Sequence, residues 1–354
     1  MSALIDLLPI ALLLLMLWRV RPAKPLLSGF HEDALSLQAA LPLRGALAVM
    51  VVFHHLAQRT EAGWLMRLYT DAGYLPVAMF FFLSGYGLMK RHLSSPDYRR
   101  HFLRRRLGAL LGPIALPMAV YLAMHIASQP FTSAWDFYNG VIGEANAWFI
   151  VNLIVFYLEF ALAMRLCGKR PDGMVAVMAA CCAGYIAGCM ALQYGDWWYK
   201  SSPAFVIGMA CAAWGGRWNP FVRRFYWPLL IACWVLCHVV HVNIWTVGWR
   251  LHTQALIPSA LAATLFALGT ALLMMKLRFG NPALNWLGRH SYDIYIIHGI
   301  LLIALHGGLV YLENDFLYAL PLLIGTFALA EARRALRSKW KNMRNKSIRR
   351  GETK

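Results

Sequence analysis

The sequence predicts an all-α fold: a polytopic transmembrane helical bundle of about 10–11 membrane-spanning helices, N-terminus outside and C-terminus cytoplasmic. Composition is the first observation behind this. Hydrophobic residues make up 60% of the chain and charged residues 14%, where soluble domains carry about 25% charge. The second is run length: apolar stretches of roughly 17–22 residues recur, enough to cross about 30 Å of hydrocarbon. Segments such as PIALLLLMLW (9–18) lack the alternation of a transmembrane β-barrel.

The third observation is the placement of charge. Candidate spans fall near 3–18, 44–58, 74–89, 107–127, 146–164, 173–194, 202–216, 226–246, 255–275, 292–312 and 316–332. One set of alternate connections (19–44, 88–108, 165–172, 215–225, 276–291 and the stretch from 333) holds 30 of the 34 Lys and Arg. Cytoplasmic loops collect these residues. The net charge of +18 therefore reads as topology and contact with membrane lipids, and no nucleic-acid partner is expected. The seven cysteines lie in or beside spans without metal-ligand or disulfide-framework spacing, so packing is their expected role and no metal site is expected. Nothing in the sequence signals an oligomeric state.

Taken in order, 3–18 lacks a basic leader and runs into RVRPAKP instead of a small-residue cleavage site, so a retained helix is expected rather than a signal peptide. Ser28 and the acids after it resemble a helix start, predicting a short helix on the cytoplasmic face. Residues 1–36 thus form an extra N-terminal span and connector, 37–335 the main membrane domain, and 336–354 a basic cytoplasmic tail touching anionic lipid.

The second span, LRGALAVMVVFHH, carries Arg44, His54 and His55 where hydrocarbon penalises polar groups. Eleven residues separate Arg44 from His55, close to three helical turns, so the two share a face about 16 Å apart. A cation at the inner rim with an imidazole above it describes a polar track, and histidine is the natural proton acceptor near neutral pH. His54 points about 100° away and reads as a packing or supporting residue.

The third span ends in FFFLSGYGL, where Ser84 and Tyr86 either face a ligand or flank a tight helix crossing permitted by Gly85 and Gly87. Next comes a dense basic cluster with Arg104, Arg105 and Arg106. Its guanidinium forks suit the phosphates of a cytoplasmic substrate or of lipid headgroups. In AWFIVNLIVFYLEF, Trp148, Asn152 and Glu159 fall on one face, with Glu159 either functional or paired to a neighbouring cation. In the tenth span Ser291, Tyr295 and His298 form a stripe, with Tyr292 and Asp293 at the membrane boundary.

These pieces together resemble acyltransferase family 3, the integral membrane O-acyltransferases. The resemblance rests on RGALAVMVVFHH, FFFLSGYGL, FLRRRLGALLGP, AWFIVNLIVFY and LGRHSYDIYIIH, five elements in family order across about 42–300. It implies that 37–335 is the family's membrane domain, and that Arg44 and His55 are its essential catalytic pair. The donor implied is a cytoplasmic acyl-CoA, most often acetyl-CoA, with no resident cofactor. The acceptor implied is a hydroxyl of a surface or exported carbohydrate or glycolipid, and the location a bacterial inner membrane. His55 would act as general base or acyl relay. Ser84, Tyr86, Arg104, Arg105, Arg106, Trp148, Asn152, Glu159, Ser291, Tyr295 and His298 would bind substrates. The rival reading is a proton-coupled transporter or flippase running through His55, Glu159 and His298. The chain departs from the family pattern in its additional hydrophobic segment before the Arg-His span.

Overall fold

In the computed structural model the described residues are 2–61, 63–95, 97–128, 133, 137, 147–244, 256–307 and 309–351, so the predicted connection at 128–146 lies mainly outside them. Among these residues twelve helices follow in chain order: α1 (Leu7–Leu17), α2 (Leu37–Ala57), α3 (Trp64–Arg67), α4 (Tyr74–Ser94), α5 (Phe102–Ser128), α6 (Trp148–Cys167), α7 (Pro171–Ala191), α8 (Pro203–Arg224), α9 (Tyr226–Val242), α10 (Leu256–Lys276), α11 (Pro282–Ala304) and α12 (Asp315–Gly351). The only sheet among them is a two-residue antiparallel pairing of β1 (Arg21–Pro22) with β2 (Leu277–Arg278). The protein is an all-α polytopic membrane bundle.

Six helices, α2, α5, α6, α7, α10 and α12, are long and apolar enough to cross a membrane, and α8 with α9 qualifies as a pair bent by 94°. The equally long α4 and α11 are more polar: α4 carries Ser84, Lys90 and Arg91, and α11 carries Arg289, His290, Asp293 and His298. Both line the site, together with α2.

Two local expectations are corrected. No helix starts at Ser28; the connector turns, pairs β1 with β2, and delays the helix start to Ser36, whose hydroxyl accepts from the Ala39 N–H. The tenth span is not a helix beginning near 292. Asn281 caps α11 by accepting from the Leu284 N–H, which makes Ser291 and Asp293 mid-helix residues. The α12 backbone stays helical from Asp315 to Gly351, through the basic stretch.

Glycines set the crossings that assemble the site. A Cβ on Gly288 would stand 2.0 Å from the Leu41 carbonyl oxygen, and one on Gly45 would stand 2.6 Å from the Gly288 nitrogen. These contacts hold α2 and α11 backbone to backbone. The α4–α8 crossing uses the same device: a Cβ on Gly85 would meet the Phe205 carbonyl at 2.1 Å, and one on Gly208 the Phe82 carbonyl at 2.1 Å. Gly85→Val is therefore expected to destabilise by about 1–3 kcal/mol or more through overpacking. Gly184→Ala, with nothing within 4 Å of the new Cβ, is expected to leave stability unchanged or higher. Thermal unfolding in detergent reads both.

Two further contacts fix the ends. The Asp6 carboxylate accepts from the Trp64 and Met66 N–H groups at 2.9 Å each, tying the start of α1 to α3. Lys276, 2% exposed, donates to the carbonyls of Leu26, Leu27 and Gly29 at 2.9, 3.0 and 2.7 Å and lies 3.8 Å from the Phe30 ring centroid. One ammonium thus gathers the connector beneath α10. Lys276→Met keeps the stem but removes the donors. It is expected to lower stability by about 1–3 kcal/mol, readable as a fall in the detergent melting point.

Candidate functional site

Two cavities enter the bundle, and α2 contributes to both. The first, about 940 Å³, takes Arg44 from α2, Ser84, Tyr86, Lys90 and Arg91 from α4, Arg105 and Arg106 from α5, Arg289, Ser291, Asp293 and Tyr295 from α11, and Arg337 from α12. Seven cations against one carboxylate give this cavity a strongly positive lining, complementary to an anion. Several cations are held in place: Arg106 donates to the Tyr98 hydroxyl at 2.7 Å, and Lys90 donates to the Tyr86 hydroxyl at 3.4 Å. Arg44 makes no ion pair or hydrogen bond among the described residues. A guanidinium set inside a membrane helix without a partner is poised for a ligand.

The second cavity, about 1850 Å³, contains His54, His55, Gln58 and Arg59 from the end of α2, with Asp71, Tyr74, Trp148, Asp196, Trp197, Trp198, Lys200 and His241. Aromatic faces mixed with carboxylates, imidazoles and a lysine suit a hydroxyl-rich ligand, which can stack its C–H face and hydrogen-bond its edge. Tyr295 is the one described residue lining both cavities. Its ring lies 5.0 Å from that of Phe149 and 6.0 Å from that of His298.

His55 and His298 meet where the second cavity reaches this septum. Their rings stack at 5.2 Å with 27° between planes. The His298 Nδ1–H donates to the Ile294 carbonyl at 3.2 Å, and its Nε2, fully buried, has no hydrogen-bond partner among the described residues. The parallel α2–α11 crossing produces this pairing, matching Leu41 to Gly288 at one end and His55 to His298 at the other.

The sequence-predicted residues divide clearly. Arg44, Ser84, Tyr86, Arg105, Arg106, Ser291 and Tyr295 line the basic cavity; His55 and Trp148 line the other. Four line neither: His298 is buried behind His55, on which its ring stacks, and the other three are Arg104, Asn152 and Glu159. Arg104 points outward, exposed. Asn152 is fully buried; its amide donates to the Trp198 carbonyl and its oxygen accepts from the Tyr185 hydroxyl, so it ties α6 to the Trp198 turn. Glu159 lies on α6 beyond both cavities, without an ion pair among the described residues. The shared helical face of Trp148, Asn152 and Glu159 is real, but only its Trp148 end meets a cavity.

Sequence reasoning missed a clasp between α11 and α12. Asp293, 4% exposed, pairs with Arg333 at 3.1 Å and with Arg337, while His290 and the Trp286 N–H both meet the Glu331 carboxylate at 2.9 Å. Asp293 is thus an ion-pair partner of α12. The signal available was spacing alone: Trp286, His290 and Asp293 form one helical stripe, and Arg333 and Arg337, four residues apart, share a face of α12, while Glu331 is offset from them. Their 40-residue separation hid the pairing. His54 packs and supports as its spacing suggests: its Nδ1–H donates to the Tyr69 carbonyl at 2.9 Å and its ring packs on Gly73.

No curated protein and no solved structure matches the chain significantly. A family model describing an acyltransferase domain, that of acyltransferase family 3, matches residues 43–330. That match covers most of the chain and takes in Arg44, His55, Tyr295 and every cation of the basic cavity except Arg337. The chain belongs to acyltransferase family 3 and is an integral membrane acyltransferase.

Proposed function

We propose that the enzyme moves an acyl group, acetyl first among the choices, from a cytoplasmic acyl-CoA to a hydroxyl of a carbohydrate or glycolipid. The setting is a bacterial cytoplasmic membrane. The observation that carries this is Arg44, with no ion pair or hydrogen bond among the described residues, in a strongly basic cavity on the same helix as His55, with Tyr295 between the two cavities. The donor's phosphates sit among Arg91, Arg105, Arg106 and Arg289, which are charge-complementary to them. Its thioester reaches past Arg44 toward Tyr295.

The acceptor enters the aromatic cavity and presents its hydroxyl to His55. As the hydroxyl oxygen attacks the thioester carbonyl, the new C–O bond forms and the C–S bond breaks. The hydroxyl proton passes to His55 and from there to the departing thiolate. If His55 instead carries the acyl group between the two, quenched turnover leaves an adduct of acyl mass on that residue. The proposal is tested by mass spectrometry of surface glycans and glycolipids from cells with and without the gene. A product bearing one more acetyl mass when the gene is present is expected. Identical spectra, with the protein abundant in the membrane, overturn it.

A further inference from the structure

His54, Gln58 and the Tyr69 carbonyl form a chain of hydrogen bonds ending on His55, and its polarity is fixed at one end. A backbone carbonyl only accepts, so the His54 nitrogen facing Tyr69 at 2.9 Å, Nδ1, carries the proton. In the neutral ring His54 Nε2 is then an acceptor. It faces the Gln58 side-chain nitrogen at 3.4 Å, which donates to it. That choice turns the other end of the same amide, Oε1, toward His55 Nδ1 at 3.4 Å. An amide oxygen cannot donate, so His55 Nδ1 carries its proton and Nε2 keeps the lone pair.

We propose that Gln58 and His54 are positioning residues that hold His55 in the tautomer whose Nε2 takes the acceptor's proton. The inference rests on His55 being the base of the transfer reaction. It differs from that reading in assigning work to two residues that need touch no substrate. Local sequence makes the relay cheap to build: Gln58 stands four residues after His54 and three after His55, the spacings that bring side chains together on a helix. Gly73 supports it from outside, because a Cβ there would stand 2.1 Å from His54 Cδ2 and push the ring off the Tyr69 carbonyl. Other polar and charged groups around His55 are His298 and Tyr295 on α11, Arg59 on the turn after α2, and Asp71 and Lys200 across the cavity. None of them appears as a hydrogen-bond partner of His55 Nδ1, which meets Gln58.

Gln58 is exposed at the helix end, which permits a test with little risk to folding. The purified full-length enzyme is assayed with acetyl-CoA and an acceptor glycan, comparing Gln58→Leu, Gln58→Glu and His54→Gln with the parent. Gln58→Leu removes both arms of the relay. It is expected to lower kcat at least ~10-fold, part of the about 10²–10⁴-fold a positioned base supplies, with KM for both substrates within about twofold. Gln58→Glu keeps an acceptor oxygen for His55 Nδ1 and is expected to recover most of that loss. His54→Gln combined with Gln58→Leu is expected to be no worse than Gln58→Leu alone, as members of one chain are not additive.

An unchanged kcat in Gln58→Leu overturns the relay. So does an effect confined to KM, a loss as deep in Gln58→Glu as in Gln58→Leu, or a loss matched by a fall in melting point. Failure of the underlying reading looks different: His55→Ala would then keep full activity.

Discussion

His55→Gln and His55→Ala are expected to lower acyl transfer by about 10²–10⁴-fold, the contribution of a positioned proton acceptor, without reducing membrane abundance. His55 lies at the inner limit of the aromatic cavity, stacked on His298 and bonded through Nδ1 to Gln58. Neither substitution introduces bulk or an unpaired charge, so folding should tolerate both. The same variants should still bind acyl-CoA, because the basic cavity does not include His55. Arg44→Gln gives the complementary pattern, with weaker acyl-CoA binding. Equilibrium binding of labelled acyl-CoA beside product formation separates the two. A His55 variant that transfers at the parent rate would remove the residue from the mechanism.

The second large effect is structural. Asp293→Ala leaves Arg333 and Arg337 facing a buried site without their carboxylate. Breaking one side of a buried pair costs about 3–5 kcal/mol. The Arg337 side chain keeps 42% of its exposure, so water recovers part of the loss and about 3 kcal/mol is expected. The measurement is thermal unfolding in detergent. A triple variant, Asp293→Met with Arg333→Met and Arg337→Leu, should regain most of that stability, since apolar replacement of a buried ion pair is often neutral. It should nevertheless bind acyl-CoA poorly, because Arg337 and Asp293 line the basic cavity. An unchanged melting point for Asp293→Ala would show that the clasp contributes nothing.

How much of this was legible in the sequence follows from the range of the interactions involved. The bundle was legible because hydrocarbon length and composition act within each segment. The Arg44–His55 pair was legible because one helix carries both, and eleven steps of 100° fix their common face. The His55–His298 stack was readable only as two histidines in separate spans. Gly45 and Gly288 bring them together, and nothing local tells which glycine of one helix meets which of another. Glu159 misled for the same reason: its face was right, but where the neighbouring cavity ends is set by packing. The Asp293 clasp and the cage around Lys276 depend on partners 40 to 250 residues away. Gln58 is the instructive miss. Its spacing from both histidines was visible, yet it acquires meaning only once the Tyr69 carbonyl fixes which way the chain of donors runs.

The central claim is that donor and acceptor occupy separate cavities and that the acyl group crosses between them at Tyr295 and His55. The most direct measurement uses the purified enzyme in proteoliposomes, with acetyl-CoA outside and inside in separate experiments and an acceptor glycan present. Free CoA thiol and acetylated product are followed together with internal pH. One thiol released per acetyl group transferred is expected, dependent on His55 and on acetyl-CoA being on the side to which the basic cavity opens. Acceptor-dependent proton flux without acetyl-CoA and without acetylated product would contradict it.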